Sequence, residues 1–208
     1  MKKNGFTLAE VLITLAIIGV VATLTLPSLM TNTAEQQSIT AFKKIMNTLN
    51  EAGQMNSALE GFDYSISDVG GLDDDVKEDQ TLGALFNERL QVSREASGAY
   101  GSTGECMNDP VFVLRDGTAI CLGGAEYNAA GFWKIYVDTN AQKGPNIVST
   151  CTGDGDCADK ANRLIKDQYA VTISRGIAVP GHWTAYETEG DTAEDKAARY
   201  AMDIGKRE

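Results

Sequence analysis

Residues 1–29 read MKKNGFTLAEVLITLAIIGVVATLTLPSL, and the fold turns on how this stretch is understood. From Val11 to Leu26 the only polar side chains are Thr14, Thr23 and Thr25, whose hydroxyls can bond back to a helix backbone. Phe6 to Met30 spans 25 residues, about 37 Å as a helix and enough to cross a ~30 Å hydrocarbon core. A secretory signal peptide would show a basic start, a shorter apolar run and then small residues at a cleavage site. Here the basic start is only Lys2 and Lys3, no Ala-x-Ala site follows, and the chain continues through Pro27-Ser-Leu into a polar helix. The segment is expected to remain as an anchor. Lys2 and Lys3 bias the N-terminus to the cytoplasmic side, so the bulk of the chain is expected to be exported.

One carboxylate, Glu10, interrupts the apolar run. A charge deep in a membrane helix costs about 2.5–3.5 kcal/mol on insertion scales, less near the interface, and is a functional candidate where a partner can be named. The plain alternative is a carboxylate that snorkels to the headgroups or is protonated. No Lys or Arg occurs between Lys3 and Lys43. A cation must therefore come from elsewhere.

Gly5-Phe6-Thr7-Leu8-Ala9-Glu10-Val11-Leu12-Ile13 resembles the processing and assembly signature of type IV prepilins and type II secretion pseudopilins. The resemblance implies a dedicated membrane peptidase cutting between Gly5 and Phe6, N-methylation of Phe6, and pairing of Glu10 with the freed Phe6 amine of a neighbouring subunit. Pro27 also matches, at the place where the family's long helix kinks. A bend at Pro27 is expected on chemistry alone, because proline lacks the N–H and clashes with the preceding turn. The close match covers residues 1–30. It implies a leader over 1–5, a transmembrane and assembly helix over 6–30, and an exported head over 31–208 that includes the second half of the long helix. A bacterial inner-membrane location, an assembly ATPase and an inner-membrane platform protein are implied in the same way.

The whole chain fits an exposed domain. Its 208 residues leave room for one medium domain plus the anchor, and the formal charge is −11. Nucleic-acid binding through phosphate neutralisation needs a clustered basic face, which this balance disfavours, as it disfavours attraction to anionic lipid. The four cysteines, Cys106, Cys121, Cys151 and Cys157, do not form the two close pairs of a zinc site. In an exported domain, two disulfides are the default. Of the three pairings, the short turn favours Cys151 with Cys157, leaving Cys106 with Cys121; a reduced structural thiol is the alternative.

Beyond Pro27, Ile39, Phe42, Ile45, Met46, Leu49, Ala52 and Leu59 recur mostly at spacings of three, four and seven, so the helix is expected to run to about Ser57 with one core-packing stripe. Gly61–Asp79 reads as a loop, in which Leu72-Asp-Asp-Asp-Val is a solvated acidic run rather than a cation site. Thr81–Val92 reads as a short helix with Leu82, Leu85, Phe86 and Leu90 on one face. Gly98, Gly101 and Gly104 lie in a stretch with no evident preceding strand, which argues against a phosphate-binding fingerprint. Val111–Leu114 and Ala119–Leu122 flank Arg115-Asp-Gly-Thr118 as a hairpin. Phe132–Asp138 alternates as a third strand running into the turn-rich loop Asp138–Asn146, and Tyr169–Ser174 and Ile177–Val179 supply more strand. Thr192–Lys206 reads as a charged helix with a capping box from Thr192 to Asp195, at the surface or frayed. The fold class is therefore α+β, a long N-terminal helix packed on a small antiparallel sheet, which is also the pilin-like layout.

The head offers little chemistry. His182 is the only histidine, and a Cys/His nucleophile would need a free thiolate, so no catalytic residues are assigned. Asp138 with Asn140, or Asp154 and Asp156 with Asp159, offer hard oxygen ligands for calcium, as major pseudopilins use a calcium-stabilised loop. The spacing lacks the later glycine and bidentate glutamate of a twelve-residue calcium loop, so ordinary Asx-turns are the favoured reading of these residues. The reading that follows is a structural subunit of a type II secretion pseudopilus or type IV pilus-like filament. The alternatives are a minor tip subunit whose head binds a surface, substrate or DNA, and a membrane-tethered enzyme.

Overall fold

The computed structural model describes residues 5, 7–61, 82–97, 110–121, 133–141, 143–144, 146–152, 157, 159–174, 176–181 and 192–203. The chain divides into two compact units, Met1–Gln37 and Ser38–Glu208. Helix α1 (Leu8–Glu60) begins in the first unit. Leu8–Leu26 is long and apolar enough to cross a membrane, with mean hydropathy 2.3 and no part of it buried. The threonines inside the run satisfy themselves as their chemistry predicts: Thr14 Oγ1 donates to the Val11 carbonyl, Thr23 to Val20 and Thr25 to Val21, at 2.9–3.0 Å. Each hydroxyl thereby adds no unpaired polar group to an apolar surface. Pro27 lies inside α1, with helical backbone on both sides.

The second unit is an antiparallel sheet covered by helices, the α+β architecture expected. The α1 residues Ile39, Phe42, Ile45, Met46, Leu49 and Ala52 are all buried in one core cluster. Leu59, expected to continue the stripe, is instead 66% exposed. The buried face turns polar one helical turn earlier, at Asn56, whose Oδ1 accepts from Arg89 Nε at 3.1 Å, so apolar packing along α1 stops there. The helix also runs slightly past Ser57, to Glu60.

Helix α2 (Leu82–Arg89) buries Leu82 and Phe86, with Leu90 just beyond its end. The expected continuation to Val92 does not occur. Val92 instead opens strand β1 (Val92–Ser97), which pairs antiparallel with β2 (Pro110–Leu114). A strand thus does precede Gly98, contrary to expectation, but it is joined to an antiparallel neighbour, whereas the phosphate fingerprint belongs to a parallel βαβ unit. Residues 98–109, including the three glycines and Cys106, lie outside the described residues.

β2 and β3 (Ala119–Cys121) form the expected hairpin, with Val113 opposite Ala119 and Phe112 opposite Ile120. Gly117 (φ +89°) takes the left-handed position of the turn, its N–H donating to the Leu114 carbonyl at 3.1 Å. The sheet continues through β4 (Trp133–Asp138), β7 (Gln168–Ser174) and β8 (Ile177–Pro180), in the order β1-β2-β3-β4-β7-β8. Between β4 and β7 the chain makes a small separate ribbon from β5 (Thr150–Cys151) and β6 (Arg163–Leu164).

Strand alternation sorts the side chains onto two faces. Trp133, Ile135 and Val137 pair with Ile173, Val171 and Tyr169, and all join the cluster that receives the α1 stripe. Phe42 stacks on Tyr169 with ring centroids 4.2 Å apart. The opposite face buries Val113, Ala119, Cys121, Tyr136 and Ala170 with Ala141 and Val148.

Helix α3 (Ala193–Asp203) starts on the predicted capping box: Thr192 N–H donates to Asp195 Oδ2 at 3.1 Å and Asp195 N–H to Thr192 Oγ1 at 3.2 Å. It is not a frayed surface helix. Ala197, Ala198 and Ala201 are completely buried, because small side chains let the helix approach the sheet, and the capping Asp195 is buried with them. Gly181 (φ +89°) permits that approach, since a Cβ there would meet Asp195 at 3.1 Å.

Candidate functional site

The N-terminal segment concentrates the residues that stand out chemically. Helix α1 starts at Leu8 because Thr7 caps it. Thr7 N–H and Thr7 Oγ1 both donate to Glu10 Oε2, at 2.8 and 2.7 Å, and Glu10 N–H donates to Thr7 Oγ1 at 3.3 Å. This is a reciprocal capping box in which Glu10 occupies the third helical position. Two otherwise unmatched helix donors are satisfied, and the carboxylate sits at the positive end of the helix dipole. Both Thr7 hydrogen bonds to the carboxylate fall on Oε2, and Oε1 accepts none among the described residues. Gly5, two residues before the cap, is exposed and outside the helix, and nothing lies within 4 Å of where a Cβ would sit. Phe6 lies outside the described residues.

The apolar pattern of the sequence does not point to Thr7. Its signal was present, since Thr7-Leu-Ala-Glu10 has the Thr-x-x-Glu spacing, but the segment's hydrophobicity directed attention to membrane crossing rather than to helix initiation.

In the second unit the predicted loop after β4 is organised by two buried carboxylates, Asp138 and Asp167. Asp138 Oδ1 accepts from Asn140 N–H at 2.9 Å and Oδ2 from Gln168 Nε2 at 3.1 Å. Asp167 gathers the far end of the loop, accepting from Ile147 N–H, Asn146 N–H and Asn140 Nδ2 at 2.9–3.2 Å. Burial, reinforced by the Asp167 charge, pushes the Asp138 carboxyl up to about 6 against the pull of its hydrogen bonds from Asn140 and Gln168. The loop's backbone is left-handed at Ala141 and Asn146, both with φ +50°. N–H donors thus surround these carboxylates, an arrangement that fixes a loop. Among the described residues no three His, Cys, Asp or Glu side chains gather where one ion could be held. Asp154, Asp156 and His182 lie outside the described residues, and Asp159 is exposed, its Oδ1 accepting from Ala161 N–H at 3.0 Å. Asp167 escaped notice because Lys166-Asp167-Gln168 reads as an ordinary polar strand start.

Cys151 and Cys157 are joined, with Cα atoms 5.7 Å apart, the pairing favoured from sequence. Cys121 is also disulfide-bonded. The Cys151–Cys157 bridge packs with Ala197 of α3, and Arg163 both donates to the Cys157 carbonyl at 3.3 Å and lies over the Tyr200 ring.

Residues 1–26 match the family model described as the prokaryotic N-terminal methylation motif. They carry the prepilin-type signature. The match covers the capped helix start, Glu10 and the whole apolar span, and it marks a type IV pilin- or pseudopilin-like precursor. No curated protein and no solved structure gives a significant match to the chain. The prepilin-type signature and the apolar Leu8–Leu26 helix are together consistent with a membrane-anchored pilin-like protein.

Proposed function

We propose that the protein is a structural subunit of a type II secretion pseudopilus or type IV pilus-like filament, assembled through its N-terminal helix. The observation that carries this reading is the methylation motif lying in register on a helix that buries none of its 19-residue apolar span within its own chain. An apolar surface of that extent needs lipid before assembly and other apolar helices after it. Prepilin peptidase cuts between Gly5 and Phe6, Phe6 is N-methylated, and the new amine meets Glu10 of a neighbouring copy. Glu10 suits that role because Thr7 orients its carboxylate through bonds that both fall on Oε2. A cation brought to a pre-oriented carboxylate at low dielectric gains more than one in water. Lys2 and Lys3 hold the precursor's N-terminus in the cytoplasm, Pro27 adjusts the helix for packing, and an ATPase and platform protein drive extraction from the inner membrane.

Replacing Glu10 with Val tests this. Cleavage is expected to proceed, with processed protein in the membrane and sheared filaments strongly reduced. Glu10→Val subunits entering filaments at wild-type levels would overturn the role assigned to the carboxylate.

A further inference from the structure

A cleft of about 280 Å³ in the second unit lies among α1, the end of α2 and the β2–β3 turn. Its charged lining is Lys44, Arg89, Arg115 and Asp116, three cations against one carboxylate. That inverts the balance of the chain, which has 18 basic and 29 acidic residues. The cations are set in different ways. Lys44 Nζ is paired with Asp116 Oδ2 at 2.7 Å, and Arg89 is steered by its Nε bond to the buried Asn56. The Arg115 and Gln91 side chains make no hydrogen bond or ion pair among the described residues, although the Arg115 N–H anchors the turn on the Gln91 carbonyl at 3.0 Å. Partial burial pushes the Asp116 carboxyl up, but Lys44 and the Thr118 donors outweigh it and hold it below the ordinary aspartate value. Asp116 is therefore charged and committed to Lys44. Arg115 is thus the lining cation with no side-chain partner among the described residues, beside the buried Leu90 and Leu114 that also line the cleft.

We propose that this cleft is an assembly contact that receives carboxylate side chains from the head of a second copy of the same chain. Arginine forks match carboxylates in a bidentate way, and the Gln91 amide adds a neutral donor at the same place. The occupant follows from charge. Identical chains at −11 each repel on approach, so a stable contact between their heads needs a place where acid meets base. The arginine-lined cleft supplies the basic half, and the chain's excess of carboxylates supplies the acidic half many times over. The inference rests on the filament reading, in which anchored copies are already concentrated side by side.

The test places a photo-crosslinking amino acid at Gln91 in the full-length protein in its native membrane, with a second probe at Leu15 reporting helix-to-helix contact. Crosslinks from position 91 to another copy are expected on peptides containing Asp or Glu. They should fall about three- to tenfold in Arg115→Glu, the size of one or two exposed charge contacts, and weaken as salt rises from about 0.05 M to about 0.5 M. Arg115→Lys, which keeps the charge, should retain most of the yield. Crosslinks at 15 without copy-to-copy crosslinks at 91 overturn the cleft contact and leave the filament reading standing. Capture at 91 of lipid or a different protein overturns it equally, and absence of crosslinks at both positions removes both readings.

Discussion

Asp138 makes the second unit's stability depend on pH in a direction opposite to that of most carboxylates. The side chain is buried between the end of β4 and the start of β7, and its carboxyl is raised from the ordinary value of 3.8 to about 6. The folded state therefore holds a proton that the unfolded state has released between those two values. The contribution of Asp138 to stability is greatest below about pH 3.8 and is lost as pH rises through about 6, leaving a penalty from this group at neutral pH. A shift of that size corresponds to about 3 kcal/mol. Asp138→Asn mimics the protonated form. One amide oxygen still accepts from Asn140 N–H, and the Gln168 amide can turn to accept where it now donates. Urea unfolding of the full-length protein in mild detergent, followed by the fluorescence of buried Trp133, gives the comparison. Asp138→Asn should exceed wild type by up to about 3 kcal/mol at pH 7.5, with the difference closing towards zero near pH 4. Taking the difference removes other titrating groups, including Asp116, whose depressed carboxyl acts in the opposite direction. A variant less stable than wild type at pH 7.5 would refute the argument, because the ionised carboxylate would then be stabilising the loop.

Other substitutions probe the packing. Phe42→Ala removes a fully buried ring stacked on Tyr169 and should cost about 3–5 kcal/mol, read as a lower urea midpoint. Cys157→Ser opens a short disulfide loop and should cost about 2 kcal/mol in the same measurement, with the largest gain in hydrogen exchange in α3, which packs on the bridge. Gly181→Ala combines a left-handed backbone with a 3.1 Å approach to Asp195, and should cost about 1–3 kcal/mol. Equal stability in that variant would mean that α3 can move off the sheet freely.

The features legible in the sequence were those carried by periodicity or by turn chemistry. The α1 stripe from Ile39 to Ala52, the Asp116-Gly117 turn and the Thr192–Asp195 cap each depend on neighbours in sequence, and each is present in the fold. What escaped depends on neighbours in space. β1 begins Val92-Ser-Arg-Glu95, with no apolar alternation, because it is an edge strand with an irregular register between Val92 and Arg94. The burial of α3 was hidden because its contact face is alanine, which a charged helix displays without any hydrophobic signal. Leu59 looked like core by spacing alone, although the apolar face had already ended at Asn56. At the N-terminus, Glu10 was conspicuous and Thr7 was not, because a costly charge draws attention and the hydroxyl that orients it does not.

The central claim is that this chain is a precursor matured at Gly5–Phe6 into a subunit built around Glu10. The intact mass of the protein extracted from its native membrane tests it most directly. The expected chain lacks Met1–Gly5 and begins at Phe6 carrying one added methyl group, whereas a bulky residue in place of Gly5 should leave the unprocessed mass. A wild-type chain that keeps residues 1–5 and an unmodified Phe6 in cells containing the peptidase would contradict it.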